Sequence, residues 1–396
     1  MRKVFLSATL SLILSVLLSA CTGAAPKVFP IVNEKNEWIR NVNIKNHVGS
    51  DGRKFSGEER VRLYPEGLHL VARETLKYLN IREIEDPVAV RGGIPGILGY
   101  GLDSTRDTLA FVQEVLADDL AAGNLKSRLA SPSFLNENFS LVRFYGERDE
   151  AQKYGVRISP GKVRITKYAV FKVPGSTLKT ARFSCALYGL PDDEAGLSAA
   201  EAEKIRDFLT RFRYTKQEVL SGVYEDGRSP VKARPLVWLT RDGLEEALME
   251  GTVYVLLPGR AIRIFNVDRN NGIPYAREIK KPRLQRRYWY FREISAIKGY
   301  GLEMETKITL LPKAAFAGDV FNLGLGKFIA VRFTNPLTGR REILLGILAD
   351  TGGAFAGNLY QLDFLAGVFP SHPDFSRYAC SLPEEAEVYF LFRRRK

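Results

Sequence analysis

An almost wholly apolar run lies close to the start of the chain. Two basic residues at positions 2 and 3 precede the apolar stretch 4–18, which ends in Ser-Ala-Cys at 19–21. A positive start, a short apolar centre and small residues at the cleavage point are typical of a secretory signal peptide. The run is shorter than the ~20 residues that a membrane-spanning helix needs. We therefore predict a cleaved signal peptide, residues 1–20, and lipidation of Cys21; a plain signal peptide with a chance cysteine is the alternative.

Helical periodicity follows a polar segment, 31–64, that is expected to be irregular. Apolar residues then return every three or four positions, the period of a helix that is buried on one side. A second helix is expected to begin at Ser104, with Asp107 in its first turn, and the chain to about residue 150 shows no strand pattern. The apolar positions are Leu68, Val71, Ala72, Leu76 and Leu79 in the first helix and Leu109, Val112, Leu116 and Leu120 in the second.

From residue 163 onward, short runs of β-branched and aromatic residues predict strands. Capping boxes at 198–201 and 215–218 predict two helices among them, and the residues at 270–272 predict a turn. The first of these helices is expected to bury Ile205, Phe208, Leu209 and Phe212. The predicted strands are 163–173, 181–190, 251–257, 261–267, 286–294, 303–312, 327–333, 342–349 and 387–392. Helices that alternate with groups of strands predict an α+β fold, mainly β, with barrel-like sheets.

Charge and cysteine content narrow the choice of partners. The formal net charge is +13, which favours an anionic partner such as cell-wall polymer or acidic lipid. Export argues against nucleic acid, and a basic surface kept for solubility is the alternative. Apart from Cys21, only Cys185 and Cys380 remain, and a disulfide between them is left open. The three histidines are scattered and no metal-binding motif occurs, so neither a metal nor a cofactor is predicted.

The segment 346–368, GILADTGGAFAGNLYQLDFLAGV, contains the residues best suited to chemistry. An apolar strand leads directly into Asp350, which Gly352 and Gly353 follow, and Asp363 stands further along between apolar neighbours. The glycines permit a tight turn and leave room for a bulky ligand. Burial raises the pKa of a carboxyl group, so that it can act as a general acid near neutral pH. The alternative is a turn that a carboxylate caps.

Asp-Thr-Gly after an apolar strand is also the signature of aspartic proteases. Those enzymes need two such aspartates that face each other from two lobes or two subunits. This chain has one copy, and the residues that follow Asp350 are too few to complete even a small single-lobe protease. The sequence therefore argues against a protease of this class.

The same segment resembles the three-aspartate domain of the membrane-bound lytic murein transglycosylase A family, lipoproteins that cleave bacterial cell-wall glycan. Other segments are similar to further motifs of this family and follow one another in the family's order. They are ITKYAVF at 165–171, RFSCALYGLP at 182–191, YTKQEVLSG at 214–222, NGIPYAREI at 271–279 and RRYWYFREI at 286–294. The resemblance covers roughly residues 68–396.

The resemblance implies a double-psi β-barrel domain with N-terminal helices and an inserted smaller β-barrel domain. Residues 21–66 would be a lipidated tether and irregular segment. The catalytic barrel domain would comprise residues 67–170 and 282–396, and the inserted β domain residues 171–281. Glycan would lie in the groove between the two domains.

The resemblance also implies roles for individual residues. Asp363 would be the catalytic acid and Asp350 its supporting carboxylate. The implied substrate-binding residues are Thr166, Gly352, Gly353, Asn358, Gly259, Arg260 and Tyr275. The implied reaction cleaves the MurNAc–GlcNAc β-1,4 bond of peptidoglycan. One carboxyl group protonates the leaving oxygen and then accepts the proton of the muramyl 6-hydroxyl, which forms a 1,6-anhydromuramyl end, whereas ordinary glycosidases need two carboxyl groups.

The implied partners are peptidoglycan glycan strands and, through the lipid on Cys21, a membrane. Thr22, rather than an aspartate, follows the cysteine. In lipoproteins this favours the periplasmic face of the outer membrane. The sequence identifies no protein partner. Trp289 and Tyr290 are candidates for stacking on sugar rings, although aromatic residues in apolar strands usually belong to a core.

Several positions depart from the family's pattern. Leu256 and Pro258 replace polar residues, and Lys167 replaces a glycine. No residue matches the first of the three aspartates, because the nearest, Asp319, is displaced by about two positions. The spacing between the other two aspartates is also two residues longer than in the family. These changes remove polar contacts from the groove. The alternative is therefore that the protein is a non-catalytic peptidoglycan-binding envelope lipoprotein with the same fold.

Overall fold

The computed structural model of the protein describes residues 28–50, 52–124 and 126–394. The predicted signal peptide and the lipidation site Cys21 lie outside these ranges. Within them, strands are about as common as helices, so the fold is mixed α and β and the predicted excess of β structure is wrong. In the same ranges, no helix combines the length and the apolar character that crossing a membrane requires.

The helices and strands of the described chain are numbered in chain order. The α-helices are α1 (Pro65–Ile81), α2 (Gly93–Gly96), α3 (Leu102–Ala121), α4 (Pro132–Asn138), α5 (Arg148–Lys153), α6 (Ala199–Lys204), α7 (Lys216–Leu220), α8 (Arg241–Glu250), α9 (Val320–Leu323) and α10 (His372–Ala379). The strands are β1 (Val28–Val32), β2 (Trp38–Asn43), β3 (Val48–Gly49), β4 (Arg60–Arg62), β5 (Phe139–Phe144), β6 (Val163–Ser176), β7 (Cys185–Pro191), β8 (Ala233–Leu239), β9 (Thr252–Leu256), β10 (Ile262–Asn270), β11 (Trp289–Ile294), β12 (Ala315–Ala317), β13 (Phe328–Thr334), β14 (Arg341–Asp350), β15 (Gln361–Phe369) and β16 (Glu385–Arg393).

The long helices form where the apolar period predicts them. Helix α1 begins with Pro65, whose fixed φ suits a first helical position, and it buries the expected face. Helix α3 begins two residues before Ser104, after the cap residue Gly101. Its last predicted core residue, Leu120, is 50% exposed, so the prediction of its burial is wrong.

Both capping boxes are present, but the helix after the first one is shorter than predicted. Ser198 and Glu201 exchange their hydrogen bonds at the start of α6, as do Thr215 and Glu218 at the start of α7. Helix α6 ends at Lys204 and short 3₁₀ turns follow. The predicted burial of Phe208 is therefore wrong, since its side chain is 78% exposed.

Three local predictions of strands are wrong. The segment predicted to be irregular contains the end of β1 and all of β2 to β4, and β5 lies where no strand pattern was found. Residues 303–312, predicted as a strand, contribute only an isolated bridge between Thr309 and Lys298. Strand pairing depends on partners that are distant in sequence, and a short local pattern does not reveal them.

A closed ring of six strands builds the first core. The strands of the ring pair in the order β6, β15, β12, β14, β13 and β16, and β16 pairs with β6 to close it. The pairs β6–β15 and β12–β14 are parallel and the other four are antiparallel. Helices α1 and α3 contribute fully buried residues such as Leu68 and Leu109 to this core. The double-psi connection of the ring stays a prediction.

The second core forms around the other half of β6. After its barrel section, β6 pairs in parallel with β9 and then antiparallel with β8. The second core contains Phe171 from β6, Phe265 from β10 and Phe291 from β11. Strand β11 follows residue 281, so this core extends beyond the segment assigned to the inserted domain from the sequence. The division into two domains stays a prediction, and β6 is the strand that both cores share.

Candidate active site

A cavity of about 600 Å³ lies where the two cores meet. Its walls include residues of β6, β14 and β15 from the barrel side and of α8, β10 and β11 from the other side. Among the described residues, seven acidic side chains line this cavity: Asp350, Asp363, Glu250, Glu34, Glu203, Glu245 and Asp268. Burial raises the pKa of three of them, Asp350, Asp363 and Glu250. Asp350 and Asp363 were predicted as site residues from the sequence, and Glu250 was not.

Asp350 is the last residue of β14 and accepts hydrogen bonds at both carboxylate oxygens. Its Oδ2 accepts from the hydroxyl of Tyr168 at 2.8 Å, and its Oδ1 accepts from the backbone N–H of Thr351 at 2.8 Å. Burial raises the pKa of Asp350 to about 6, although these two hydrogen bonds and the charge of Lys307 oppose the rise. Asp350 is therefore mostly ionised at neutral pH.

Asp363 lies on β15, between the partners Thr166 on β6 and Ala317 on β12. Ala317 is also the partner of Asp350 on β14. The two aspartates therefore flank one residue, with Cα atoms about 10 Å apart, which is two strand spacings. The pairing of β12 with β14 and β15 therefore places the two aspartates near each other, as the predicted site requires.

The environment of Asp363 suits a proton donor. Burial raises its pKa to about 7, the charge of Asp350 adds to the rise, and the side chain of Thr166 opposes it. Its Oδ1 is completely covered and has no hydrogen-bond partner among the described residues. A carboxyl group with this pKa carries a proton in a large fraction of molecules at neutral pH.

Glu250 is the third carboxyl group with a raised pKa, and the sequence did not reveal it. It ends α8, and its Oε2 accepts a hydrogen bond of 3.4 Å from the backbone N–H of Ala169 on β6. Burial raises its pKa to about 8, and the charges of Asp363 and Glu246 contribute. In the sequence, Glu250 is a polar residue at the end of an amphipathic helix, a position that usually faces solvent.

Lysine side chains balance part of the acidic charge. Lys307 lines the cavity and donates a hydrogen bond to the backbone carbonyl of Val267. Burial lowers the pKa of Lys307 to about 8, while Asp268 and Asp350 oppose the decrease. Burial also lowers the pKa of Lys167, the residue that replaces the family's glycine. Lys307 belongs to the segment predicted as a strand and was not predicted as a site residue.

The structure brings some of the other predicted site residues to this cavity. Gly352, Gly353 and Tyr275 line it. Thr166 adjoins it, because its Oγ1 accepts a hydrogen bond of 2.8 Å from Nε2 of Gln361, which is a lining residue. The substrate-binding roles of these residues stay predictions.

Three predicted binding residues lie elsewhere. Asn358 is buried in the loop between β14 and β15, where it donates to the carbonyl of Ala354 at 3.3 Å and accepts from the N–H of Tyr360 at 3.2 Å. Gly259 and Arg260 form the turn between β9 and β10. None of the three lines the cavity, so any contact with substrate would lie outside it.

Asp319 is fully buried and does not line the cavity. It caps α9, where it accepts hydrogen bonds from the backbone and the side chain of Asn322. Its neighbour Gly318 donates to the carbonyl of Asp350 at 3.2 Å and accepts from Oγ1 of Thr351 at 2.8 Å. Asp319 therefore stabilises the loop that holds the end of β14.

The described residues form neither a cluster of metal ligands nor a disulfide between Cys185 and Cys380. In the described ranges, no group of three or more His, Cys, Asp or Glu residues is arranged to hold a metal ion. Cys185 and Cys380 are both free, so the disulfide that the sequence left open is not formed.

Solved structures share this arrangement of strands and helices. No family model matches the sequence, and no curated protein matches it. The membrane-bound lytic murein transglycosylase from Agrobacterium tumefaciens superimposes with a TM-score of 0.53 at 16% identity, over 83% of this chain and 93% of that chain. MltA from Neisseria gonorrhoeae superimposes with a TM-score of 0.51 at 13% identity, over 96% of this chain and 98% of that chain.

The chain shares the MltA fold. The resemblance that the motifs predicted is thus confirmed at the level of the fold. At 13 to 16% identity the comparisons establish the MltA fold alone. The chemistry of the site must be argued from the residues of this chain. In this chain, the MltA fold brings Asp350 and Asp363 from the ends of different strands into one cavity.

Proposed function

We propose that this protein is a lytic transglycosylase that cleaves the MurNAc–GlcNAc β-1,4 bond of peptidoglycan and forms 1,6-anhydromuramyl ends. The observation that carries the proposal is Asp363, a half-buried residue in the wall of the cavity whose Oδ1 is completely covered and whose pKa is raised to about 7. The shared fold with proteins named lytic transglycosylases supports the same reaction.

The chemistry requires one residue to act first as an acid and then as a base. Protonated Asp363 donates its proton to the glycosidic oxygen as the bond to the muramyl C1 breaks. The resulting carboxylate then accepts the proton of the muramyl 6-hydroxyl, whose oxygen bonds to C1. A pKa near the working pH suits both steps, because each protonation state is well populated.

Asp350 and Glu250, two carboxyl groups of the cavity that interact electrostatically with Asp363, favour an internal nucleophile over water. Hydrolysis by inversion would need an ionised base that can accept a proton from water. Both oxygens of Asp350 already accept hydrogen bonds, from Tyr168 and Thr351, which suits electrostatic support of a positive transition state. Glu250 has a pKa of about 8, so it is mostly protonated at neutral pH and is a poor base.

The test is incubation of the mature protein, residues 22–396, with isolated peptidoglycan, followed by mass spectrometry of the soluble products. We expect products that are lighter than hydrolytic muropeptides by one water molecule, and their loss in Asp363→Asn. The matched control is Asp226→Asn, which changes an exposed carboxylate that does not line the cavity and should leave product formation unchanged.

Other outcomes separate the alternatives. Products of hydrolytic mass would contradict the internal nucleophile and assign a water-activating role to a second carboxyl group. No products, together with retained binding to peptidoglycan, would favour the non-catalytic peptidoglycan-binding envelope lipoprotein. The second result is possible on the same fold because binding does not require a proton donor.

For the location we propose a lipid anchor on Cys21 at the periplasmic face of the outer membrane. The order of basic, apolar and small residues before Cys21 supports this anchor, and multiple acyl chains hold a protein stably at a bilayer. We expect the protein to take up labelled palmitate and to fractionate with outer membranes. Cys21→Ser should abolish both; release of an unlabelled wild-type protein would contradict the anchor.

A further inference from the structure

Arg287 is a buried cation without an adequate partner. It lies two residues before the start of β11, and its side chain is only 7% exposed. Its guanidinium carbon lies 4.5 Å from the centre of the Trp289 ring. Its Nε is completely covered and has no hydrogen-bond partner among the described residues. Its one ion pair, with Oε2 of Glu34, is stretched to 4.0 Å.

A buried guanidinium in this state is costly. Burial lowers the pKa of Arg287, and the charge of Glu34 only partly opposes the decrease. Arginine nevertheless keeps its proton in proteins, so it cannot avoid the cost by becoming neutral. Buried charges are normally paired and hydrogen-bonded, and the described groups around Arg287 do not satisfy its five N–H donors. A carboxylate that reaches the guanidinium from the cavity would accept two further hydrogen bonds and pair its charge.

The guanidinium lies against the loop that follows Asp350. A Cβ atom placed on Gly353 would be only 2.8 Å from Nη1 of Arg287 and 3.1 Å from Cβ of Tyr275. The absence of a side chain at Gly353 therefore makes the space that the guanidinium occupies. Arg287, Gly353 and Asp350 all line the same cavity, so a group bound by Arg287 would lie close to the aspartates.

We propose that Arg287 binds a carboxylate of the substrate and thereby selects muramyl-containing glycan over neutral glycan. The planar fork of arginine donates two parallel hydrogen bonds to a carboxylate. A muramyl residue differs from N-acetylglucosamine by a lactyl group that ends in a carboxyl group. This carboxylate is free in peptide-free glycan, and in peptide-bearing glycan the stem peptide supplies carboxylates of its own. The inference rests on the proposed function, because it names the substrate feature that the same cavity recognises.

The test measures binding by titration calorimetry in an Asp363→Asn background, which prevents turnover. Three soluble ligands of equal sugar length are compared: a chitotetraose, a peptide-free tetrasaccharide that alternates N-acetylglucosamine and muramic acid, and the same tetrasaccharide with stem peptides. We expect at least one muramyl ligand to bind about tenfold to a hundredfold more tightly than chitotetraose, the range for hydrogen bonds to a charged group. An advantage confined to one muramyl ligand identifies which carboxylate is bound.

Arg287→Gln should abolish this advantage and leave the affinity for chitotetraose unchanged. Gly353→Ala is a second variant that keeps the charge, and it should reduce the advantage by displacing the guanidinium. The matched control is Lys298→Gln, which removes one positive charge from the same cavity, where Nζ of Lys298 already donates to Oγ1 of Thr309. We expect Lys298→Gln to keep most of the advantage.

The possible results are distinguishable. Equal affinity for all three ligands, or an advantage that persists in Arg287→Gln, would overturn the role of Arg287 and leave the proposed function intact. A loss of the advantage in Lys298→Gln as large as in Arg287→Gln would also overturn it, since net charge alone would then explain the selection. Failure to bind any of the three glycans would contradict the proposed function itself.

Discussion

The hydroxyl group of Tyr168 donates a hydrogen bond of 2.8 Å to Oδ2 of Asp350. Tyr168 lies in the middle of β6, the strand that both cores share, and Asp350 ends β14 in the barrel. Burial raises the pKa of Tyr168 well above its ordinary value, so its hydroxyl remains a donor throughout the neutral range. This bond lowers the pKa of Asp350, in opposition to burial. A residue of the strand that both cores share thus helps to set the pKa of Asp350.

Tyr168→Phe should reduce activity by raising the pKa of Asp350. The variant leaves a buried carboxylate oxygen without its donor, which costs roughly 1–3 kcal/mol and corresponds to a decrease in kcat/KM of about tenfold or more at neutral pH. The acidic limb of the pH profile of kcat/KM should move to higher pH. Tyr254→Phe is the control, because Tyr254 lies on the neighbouring strand β9 and does not line the cavity. An unshifted acidic limb in Tyr168→Phe would contradict this role.

The alkaline limb of the pH profile should report Asp363. A general acid must carry its proton, so kcat/KM should fall as the pH rises through about 7, the pKa of Asp363. The negative charge of Asp350 contributes to this raised pKa. In Asp350→Asn the residual activity should therefore have its alkaline midpoint at lower pH.

Glu250→Gln is the matched control for this shift. Glu250 ionises only near pH 8, so it is mostly neutral while Asp363 titrates, and its replacement should leave the midpoint near 7. Residual activity is measured from the rate of product formation across a range of pH values. A midpoint that is the same in Asp350→Asn and the wild type would show that Asp363 is not the group that titrates.

Lys327 provides a test of stability that is independent of the site. Its side chain is fully buried, with one hydrogen bond of 2.8 Å from Nζ to Oγ1 of Thr105. Burial lowers the pKa of Lys327 from 10.5 to about 7. The unfolded chain therefore binds more protons than the folded chain between about pH 7 and 10.5, and the contribution of this lysine makes the protein more stable as the pH rises through that window.

Lys327→Met should increase the free energy of unfolding by roughly 1–4 kcal/mol at neutral pH, because an apolar side chain of similar length needs no solvation. Urea unfolding of both proteins at several pH values measures the difference. The advantage of the variant should be greatest below pH 7 and should shrink as the pH approaches 10.5. A constant difference across this window would mean that Lys327 has an ordinary pKa in the folded state.

Asn322 joins the first strand to the barrel. Its Oδ1 accepts from the N–H of Val32 at 2.9 Å, and its Nδ2 donates to the carbonyl of Val32 and to Oδ2 of Asp319, both at 2.8 Å. Asn322→Ala removes these bonds and leaves buried polar groups unpaired, so we expect a loss of about 2–4 kcal/mol in the free energy of unfolding. Limited proteolysis should then cut first in the β1–β2 hairpin. Asn80→Ala, at an exposed asparagine of α1, should leave both stability and cleavage unchanged.

Local sequence determined the elements whose apolar period is long or whose caps are explicit. Helices α1 and α3, both capping boxes and the strand that leads into Asp350 follow from neighbouring residues alone, because backbone hydrogen bonds within a helix and the alternation of a strand are local. The motif around Asp350 and Asp363 also identified two of the carboxyl groups that line the cavity. The prediction that Cys21 is lipidated is of this kind as well, since it depends only on the order of residues before the cleavage point.

Tertiary structure alone decided what surrounds those aspartates. The pairing of β6 with β15 and of β14 with β12 joins residues that are far apart in the chain, and neither partner is marked in the local pattern. The folded chain also brings Tyr168, Glu250 and Arg287 to the cavity that these aspartates line. Their pKa values depend on burial and on nearby charges, which are properties of position in three dimensions. The sequence by itself therefore named two carboxyl groups of the cavity, and the folded chain set their protonation and their neighbours.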